Sequence, residues 1–568
     1  MAAHPVEPGF TELFTPKLVT VLRERYRLAD LKADAISGLT VAIVALPLSM
    51  AIAIASGVTP DRGLYTSIIG GFIVSALGGS RFQIGGPAGA FIVLVSATVA
   101  QHGVDGLLLA TMMSGLMLLA IGWLRLGTFI KYIPYPVTVG FTAGIAVIIF
   151  ASQIKELLGL NLEKEPGPFI PKIIAIGAAL PSANLAAIVL AGLSIAIIVV
   201  LRRHRPHWPG FIIAVVAATL AAALFGLPVE TVGSRFGGIP QMLPAPQLPP
   251  VSLDKIVEVL PNALSFALLG CIESLLSAVV ADSMSGRRHR SNCELVAQGA
   301  ANIAAPLFGG FCVTGNIART ATNIRAGAHG PISGMLHSVF LLAAMLVAAP
   351  LAYYIPLAAL AGVLAVVAWN MAEKHAFATL VRASRGDAVV LLTTFLLVVF
   401  RDLTEGILAG FAVGTLLFLH RMAQGVAVEH GVPAVEPDRG DFADEARTPY
   451  DVGMATDPAV VVIRISGAFF FGAAAGVGGA LDRVGEQPKA YVIDFSAVPM
   501  LDSTGATTIE GFVRKADSRG AAVIVAGAAR PIRRALLTHG VRPPRVRFRK
   551  TLAEAVAAAH ETAGALAA

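Results

Sequence analysis

Charge is scarce in this sequence: 14% of its 568 residues are Asp, Glu, Lys or Arg, against 55% hydrophobic. With a mean hydropathy of +0.74, that excludes an ordinary soluble globular protein and places most of the chain in a membrane. Cysteine is nearly missing as well. Cys271, Cys293 and Cys312 lie in or beside apolar stretches without paired spacing, which implies neither a disulfide framework nor a metal site. The 12 histidines fall mainly in loops and at span ends, with no H-E-x-x-H pair. No nucleophile–base set or cofactor loop is visible, so neither an enzyme nor a cofactor is expected. The net charge of +7 does not point to nucleic acid, because the basic residues form short clusters between apolar runs and act as topology signals. Glu7, Glu12, Lys17, Arg23, Glu24, Arg25 and Arg27 occupy the N-terminus in place of a basic start and apolar core, so no cleavable signal is expected. Residues 1–33 read as a cytoplasmic, partly helical lead-in.

What the chain does have is apolar runs. They lie at 35–56, 63–79, 87–101, 104–124, 133–154, 183–201, 210–226, 256–282, 294–308, 316–326, 331–350, 355–371, 387–402 and 405–420. The total is about 14, several of them short or broken by Pro and Gly. Basic clusters follow the even-numbered runs: Arg81, Arg125 with Lys131, Arg202-Arg203-His204-Arg205, Arg287-Arg288-His289-Arg290, Arg325, Lys374 with Arg382 and Arg385, and Arg421. The positive-inside rule then puts both ends of a membrane part, residues 34–422, in the cytoplasm. The loop after the fifth run, with Glu163, Lys164 and Glu165, falls outside. A polar linker at 423–456, acid-rich from Glu429 to Thr456, leads to a region of soluble character at 457–568. Its apolar runs Val460–Ile465, Tyr491–Phe495 and Ala522–Val525, separated by helical pattern, predict a small α/β domain. Phe469-Phe470-Phe471 is read there as a packing element.

Two stretches in the membrane part are unusual. Gln83-Ile84-Gly85-Gly86-Pro87-Ala88-Gly89-Ala90-Phe91 enters a run, Ile92 to Ala100, too short to cross a bilayer. Pro87 suits a first helical turn, and the glycines leave the backbone open to a small solute. The N–H groups of such a half-helix would face an anion; an ordinary Gly-Pro loop is the alternative. A counterpart, Gly309 to Thr320, again precedes a short apolar run. Pro47 precedes Pro87 by about 40 residues and Glu273 precedes Gly315 by about as many, the pattern of inverted repeats around a shared site. Glu273, deep in an apolar span, is a candidate for proton or sodium coupling; a structural acid paired to an Arg or a backbone amide is the other reading. Arg319 would hold an anion, unless it pairs internally, with Glu273 for example, or snorkels to the surface. Pro47 is expected to kink or interrupt the first span. Ser49 offers its hydroxyl either to the same cavity or to lipid or a neighbouring helix.

Several motifs in order resemble the SulP anion transporter family with a C-terminal STAS domain. They are Leu46-Pro47, Pro60…Gly63-Leu64-Tyr65-Thr66, Gly86-Pro87-Ala88-Gly89-Ala90, Asn292…Glu294-Leu295…Gln298-Gly299…Asn302-Ile303, Gly315 to Thr320, and Leu501-Asp502-Ser503-Thr504-Gly505 after Val492-Ile493-Asp494-Phe495. The resemblance implies an all-α polytopic membrane protein of about 14 transmembrane helices in two inverted seven-helix repeats. These divide into core and gate domains, and a small cytoplasmic α/β STAS domain follows. It also implies a homodimer in the bacterial inner (plasma) membrane. By motif, substrate falls on Pro87, Ala88, Gly89, Ala90 and Phe91 with Gly315, Asn316, Ile317 and Arg319, near Pro47 and Ser49, and Glu273 takes the cation-coupling position. Asp502, Ser503 and Thr504 match a regulatory or partner-binding loop in which Thr504 stands at a phosphorylated position; a helix N-cap is the plainer reading. Three positions depart from the pattern: Pro47-Leu48 where many members have Pro-Gln, Ile52 where they have an aromatic residue, and Ala88 where some have a polar residue.

The function expected is secondary active transport of a small anion, sulfate-type favoured, as proton symport by alternating access. Bicarbonate or dicarboxylate transport with sodium or proton coupling, an uncoupled exchanger or channel, a purine or pyrimidine transporter, and a membrane sensor are the rivals. The partners expected are the anion, a co-transported proton or sodium, the bilayer and a cytoplasmic protein bound by the STAS domain, but no nucleic acid.

Overall fold

A computed structural model of the chain describes residues 9–128, 134–162, 166–205, 208–430, 459–470 and 488–565, with 473, 474, 477, 478 and 481. Glu7, Lys131, Glu163, Lys164, Glu165, Phe471 and the part of the linker from 431 to 456 lie outside the described residues. The chain divides into two compact units, Met1–Ala412 and Val413–Ala568.

The first unit is helical, as a bilayer requires of a chain that must satisfy its own backbone. Its longer helices are α1 (Leu28–Ala55), α2 (Pro60–Tyr65, Thr66–Gly70 and Gly71–Leu77 in succession), α3 (Ile92–Trp123), α4 (Tyr135–Leu158) and α5 (Phe169–Ala179). Then follow α6 (Leu185–His204), α7 (Gly210–Leu224), α8 (Leu253–Ser285), α9 (Ser291–Leu307) and α10 (Ile317–Arg325). The last are α11 (Ile332–Ala352), α12 (Leu357–Met371), α13 (Lys374–Ala383), α14 (Arg385–Phe400) and α15 (Leu403–Gln424), which runs on into the second unit. Among the described residues, eight helices are long and apolar enough to cross a membrane. Every apolar run read from the sequence falls on helix; α5 and α13 are additional.

Local detail follows side-chain chemistry. α1 passes through Pro47 without interruption. The middle of α2 is π-helical over Thr66–Gly70, a local widening often found at functional sites. α3 breaks at Gly103, whose φ of 69° and ψ of −173° separate a short leading helix from a longer one. That break sits between the runs 87–101 and 104–124. Pro87 does not occupy a first helical turn: a 3-10 turn, Gly89–Phe91, opens α3 with Ala88 as its cap.

The helices pack in two groups. α1, α2, α3, α8, α9, α10 and α11 form one, and α4, α6, α7, α12 and α14 the other, with α1 also touching α7 and α12. Polar side chains on α9 fasten the loops of the first group. Asn302 bonds both backbone groups of Val313, accepting from its N–H at 2.9 Å and donating to its carbonyl at 2.8 Å. Glu294 accepts from the Ser80 N–H at 3.0 Å. At the head of α1, buried Asp34 accepts from the Tyr26 hydroxyl at 2.7 Å and from the N–H groups of His329 and Gly330 at 2.6 and 3.0 Å. Buried polar groups in lipid-embedded protein need such partners.

In the second unit a five-stranded sheet runs in the order β3 (Ala427–His430), β4 (Val460–Ser466), β5 (Ala490–Ala497), β6 (Ala522–Ala526), β7 (Val546–Arg549). β3 is antiparallel and the others are parallel. β3 falls inside the stretch 423–456 read as linker, and β7, whose polar alternation VRFR hides it, was not foreseen either. Helices Ser503–Ser518 and Arg530–Thr538 cover one face, packing Ile509, Ile532 and Leu536 on Tyr491, Ile493 and Phe495. Helix Leu552–Ala565 covers the other, packing Ala555 and Ala559 on Ala490, Val492 and Ile524. The alternation along β5 is the period-2 pattern of a strand covered on both sides. Phe469 and Phe470 are buried as packing elements.

Asn302→Ala strips two partners from a buried backbone unit, a loss of about 2–4 kcal/mol. The unfolding temperature of the detergent-solubilised protein should fall accordingly; an unchanged temperature would show that Val313 is held some other way.

Candidate functional site

The two unusual stretches meet. Gly85–Gly86 (β1) and Thr314–Gly315 (β2) form an antiparallel ladder, with Gly85 opposite Gly315 and Gly86 opposite Thr314. Antiparallel pairing makes the chains leave the ladder in opposite directions. One enters the 3-10 turn at Gly89, the other α10 at Ile317. Two helix N-termini therefore flank a single crossing, each offering N–H groups that have no earlier carbonyl to bond. Asn316 caps α10, its Oδ1 accepting from the Arg319 N–H at 3.2 Å, while its own N–H bonds the Ile84 carbonyl at 2.9 Å. Asn316 and Ile317 remain half-buried and Ala318 exposed.

A side chain at Gly315 or Gly86 would displace a neighbouring polar side chain. At Gly315 a Cβ would lie 1.9 Å from Gln83 Nε2. Gly86 has φ 156°, and a Cβ there would stand 2.5 Å from Arg319 Nη1.

Arg319 is fully buried. Nη1 donates to Ser67 Oγ at 3.1 Å and Nη2 to Ser49 Oγ at 2.9 Å. Its Nε has no acceptor among the described residues. Neither alternative for Arg319 is what the structure contains: among the described residues no carboxylate pairs with it, and it does not reach the surface. Ser49 also donates to the Ala45 carbonyl at 2.7 Å, so its hydroxyl is engaged with Arg319 and with its own helix. Ser67, on the π-helical turn of α2, completes the clamp and lies 2.7 Å from Ser49 Oγ.

Glu273 is 6% exposed on α8, with no hydrogen-bond or ion-pair partner among the described residues. It shares a helical stripe with Gly270 and Ser277. The Gly270 carbonyl accepts from Thr314 Oγ1 at 3.4 Å, and Ser277 Oγ lies 3.2 Å from Thr320 Oγ1. Ser274, next along, accepts from Gln83 Nε2 at 2.9 Å. The stripe carrying Glu273 thus faces the crossing. Phe91 is engaged in packing, its ring 6.0 Å from Phe266. Ala88 and Ala90 are buried. A Cβ on Gly89 would lie 3.3 Å from Ile149 Cδ1 and 3.4 Å from Met371 Sδ, which come from α4 and α12 of the other helical group. Pro47 is buried within α1.

Sequence reasoning did not single out Ser67, His337 or the clamp made by Asn302, and it gave Gln83, the first residue of the Gly-rich stretch, no role of its own. His337 is fully buried with neither ring nitrogen partnered among the described residues. Single polar residues in apolar spans were the available signal, and Ser67 carries none beyond that. A cavity of about 870 Å³ lies elsewhere, beside Lys155, Glu156, Glu230 and Arg235. Its chemistry does not recommend it for an anion, because Arg235 is already paired with both Glu156 and Glu230. In the second unit, Asp502 caps its helix, Oδ1 accepting from the Gly505 N–H at 2.8 Å, with Ser503 and Thr504 exposed at the first turn.

Broken helices crossing at their N-termini, in a membrane unit followed by a covered α/β sheet, define a membrane transport protein with a STAS-type domain. The chain belongs to the Sulfate permease family, whose sequence signature matches residues 31–394, and the STAS domain signature matches residues 452–555. It is 40% identical over 506 residues to "Putative sulfate transporter YvdB" of Bacillus subtilis, covering 88% of this chain and 92% of that protein. It is 31% identical to the bicarbonate transporter BicA of Synechocystis, covering 89% and 90%. The solved transmembrane domain of a cyanobacterium BicA matches 69% of this chain and 98% of its own, with TM-score 0.60 and 31% identity. The murine Solute Carrier 26 family member A9 anion transporter, inward-facing, shares the fold with TM-score 0.83 over 99% and 96% of the chains at 19% identity. The protein is thus a mostly helical membrane protein and a transporter of anions.

Gly86→Ala should push the Arg319 guanidinium off Ser67. Anion uptake should then show a KM raised roughly tenfold or more, since a displaced charge-assisted contact is worth about 1.5–3 kcal/mol. A wild-type KM would mean that Arg319 does not depend on this close approach.

Proposed function

We propose that the protein is a secondary active transporter carrying a small inorganic anion of sulfate type across a bacterial inner membrane by proton symport. One observation carries the reading: a fully buried guanidinium, held by two serine hydroxyls beside two helix N-termini, has no carboxylate partner among the described residues. A buried charge without a counter-charge is expensive, and an anion at the crossing supplies one. The anion binds to backbone N–H groups at Gly89, Ala90, Ile317 and Ala318, with Pro87, Ala88, Phe91, Gly315 and Asn316 shaping the approach; the Phe91 N–H itself is bonded to the Ala88 carbonyl. Arg319 contributes the field, and Pro47 and Ser49 act through it. Glu273 takes up and releases the coupled proton. α4 and α12 serve as a gate against which the crossing moves, in an arrangement of about 14 spans in two inverted repeats. The proposal extends to a homodimer, cytoplasmic termini, a membrane part over 34–422 and an Asp502–Thr504 loop that binds a cytoplasmic partner.

A second reading, bicarbonate transport with sodium coupling, is favoured by the likeness to BicA in sequence and in the membrane part. A site built mainly of backbone donors discriminates weakly among small oxyanions.

Uptake of labelled sulfate and bicarbonate into proteoliposomes under imposed proton or sodium gradients tests both. Glu273→Gln should abolish accumulation against the gradient while downhill flux persists, and Arg319→Ala should raise KM roughly 10- to 100-fold. Accumulation unaffected by Glu273→Gln would remove the coupling role. Sodium-driven bicarbonate accumulation without sulfate uptake would establish the second reading.

A further inference from the structure

A groove of about 630 Å³ opens between α4, α6 and α12, away from the crossing. Its walls are apolar, with Phe150 from α4, Ile198 and Val199 from α6, and Val366 and Trp369 from α12. At one end the chemistry changes abruptly to Arg202, Arg203 and Asn370. Arg202 is drawn across the mouth, its Nη1 donating to Asn370 Oδ1 at 2.5 Å. Arg203 has no partner among the described residues. Lys374 stands 3.9 Å over the Trp369 ring and donates to the Trp369 carbonyl at 2.7 Å, adding a third cation at the rim. An apolar trough that ends in cations has the polarity of one kind of molecule.

We propose that this groove binds an acidic phospholipid of the cytoplasmic leaflet, with its phosphate on Arg202 and Arg203 and an acyl chain along Ile198, Val199 and Val366. Charge complementarity selects the occupant. A zwitterionic lipid brings its own cation up to the two arginines beside its phosphate and gains less from them, and a soluble anion makes no use of the apolar walls. The basic end faces the cytoplasm by the positive-inside rule, where acidic lipids give the surface its negative potential. The volume falls in the range of small-molecule sites.

The groove bears on transport through neighbouring residues. Phe150 lines it, and Ile149, the preceding residue of α4, meets Gly89 at the crossing. Asn370 and Met371 stand in the same relation on α12. A bound lipid thus braces the turns that face the half-helix, so uptake should be faster in acidic than in neutral bilayers. This consequence rests on the transport reading above, whereas lipid binding does not.

The test is native mass spectrometry of the full-length protein in detergent, with phosphatidylglycerol as probe, phosphatidylcholine as neutral control and glycerol phosphate as the free headgroup. Arg202→Gln with Arg203→Gln should lower retained phosphatidylglycerol roughly tenfold or more and phosphatidylcholine much less. Val199→Trp, which fills the trough on an exposed face, should lower both. Glycerol phosphate should not compete. Wild-type retention in both variants, or displacement by glycerol phosphate, overturns the proposal. So does disulfide trapping of Val199→Cys between two copies, which would make the groove a protein interface. Uptake compared in phosphatidylcholine and equimolar phosphatidylcholine–phosphatidylglycerol vesicles separates the two readings. Selective lipid binding without anion uptake would sink the transport reading and leave the lipid site standing.

Discussion

Four backbone residues, Gly85, Gly86, Thr314 and Gly315, bring two distant parts of the chain into hydrogen-bonding contact inside the first unit. The geometry of that unit's polar interior depends on them. A ladder so short has little stability of its own, and the surrounding side chains hold it. Asn302 fixes Val313 just before one strand, and Thr320 Oγ1 accepts from the N–H of Ile84 just before the other. Gln83 lies across Gly315 and reaches Ser274. Irregular backbone is tolerated at membrane depth only where protein or a polar cavity satisfies it, and these contacts supply that satisfaction.

Scarcity of charge lets four of the buried ionisable groups of the first unit be compared. Asp34 is satisfied by a hydroxyl and two N–H groups, and Glu294 by Ser80 and Gln298. These acids hold loops in place. Arg319 has only neutral partners among the described residues, and Glu273 has none. The contrast between fully bonded structural acids and this under-partnered pair separates scaffold from chemistry more sharply than burial alone, since all four are buried.

Much of this could be read beforehand, for physical reasons. Lipid forces long apolar helices, so the runs were visible as composition; Gly-rich interruptions mark non-helical backbone, so the two strands of the ladder were visible as punctuation. Their pairing register was not, because two glycines carry no side-chain pattern to fix it. Ser67 escaped notice because a serine in an apolar span signals nothing until a π-helical turn aims it. Of the two readings of Pro47, a kink or an interruption, the second does not hold, since α1 is continuous through it. The strand Ala427–His430 was hidden because so short a segment beside an acid-rich stretch reads as linker. Asp502 was left between regulation and capping, and the hydrogen bond to Gly505 accounts for it as a cap.

In the proposed transport reading an anion sits at the crossing of the two half-helices. The most direct test is to locate an electron-dense substrate mimic, selenate or bromide, by anomalous diffraction from crystals of the protein. The expected result is a peak within hydrogen-bond reach of the N–H groups of Gly89, Ala90, Ile317 and Ala318. A peak in the cavity beside Lys155 and Arg235, with none at the crossing, would contradict it.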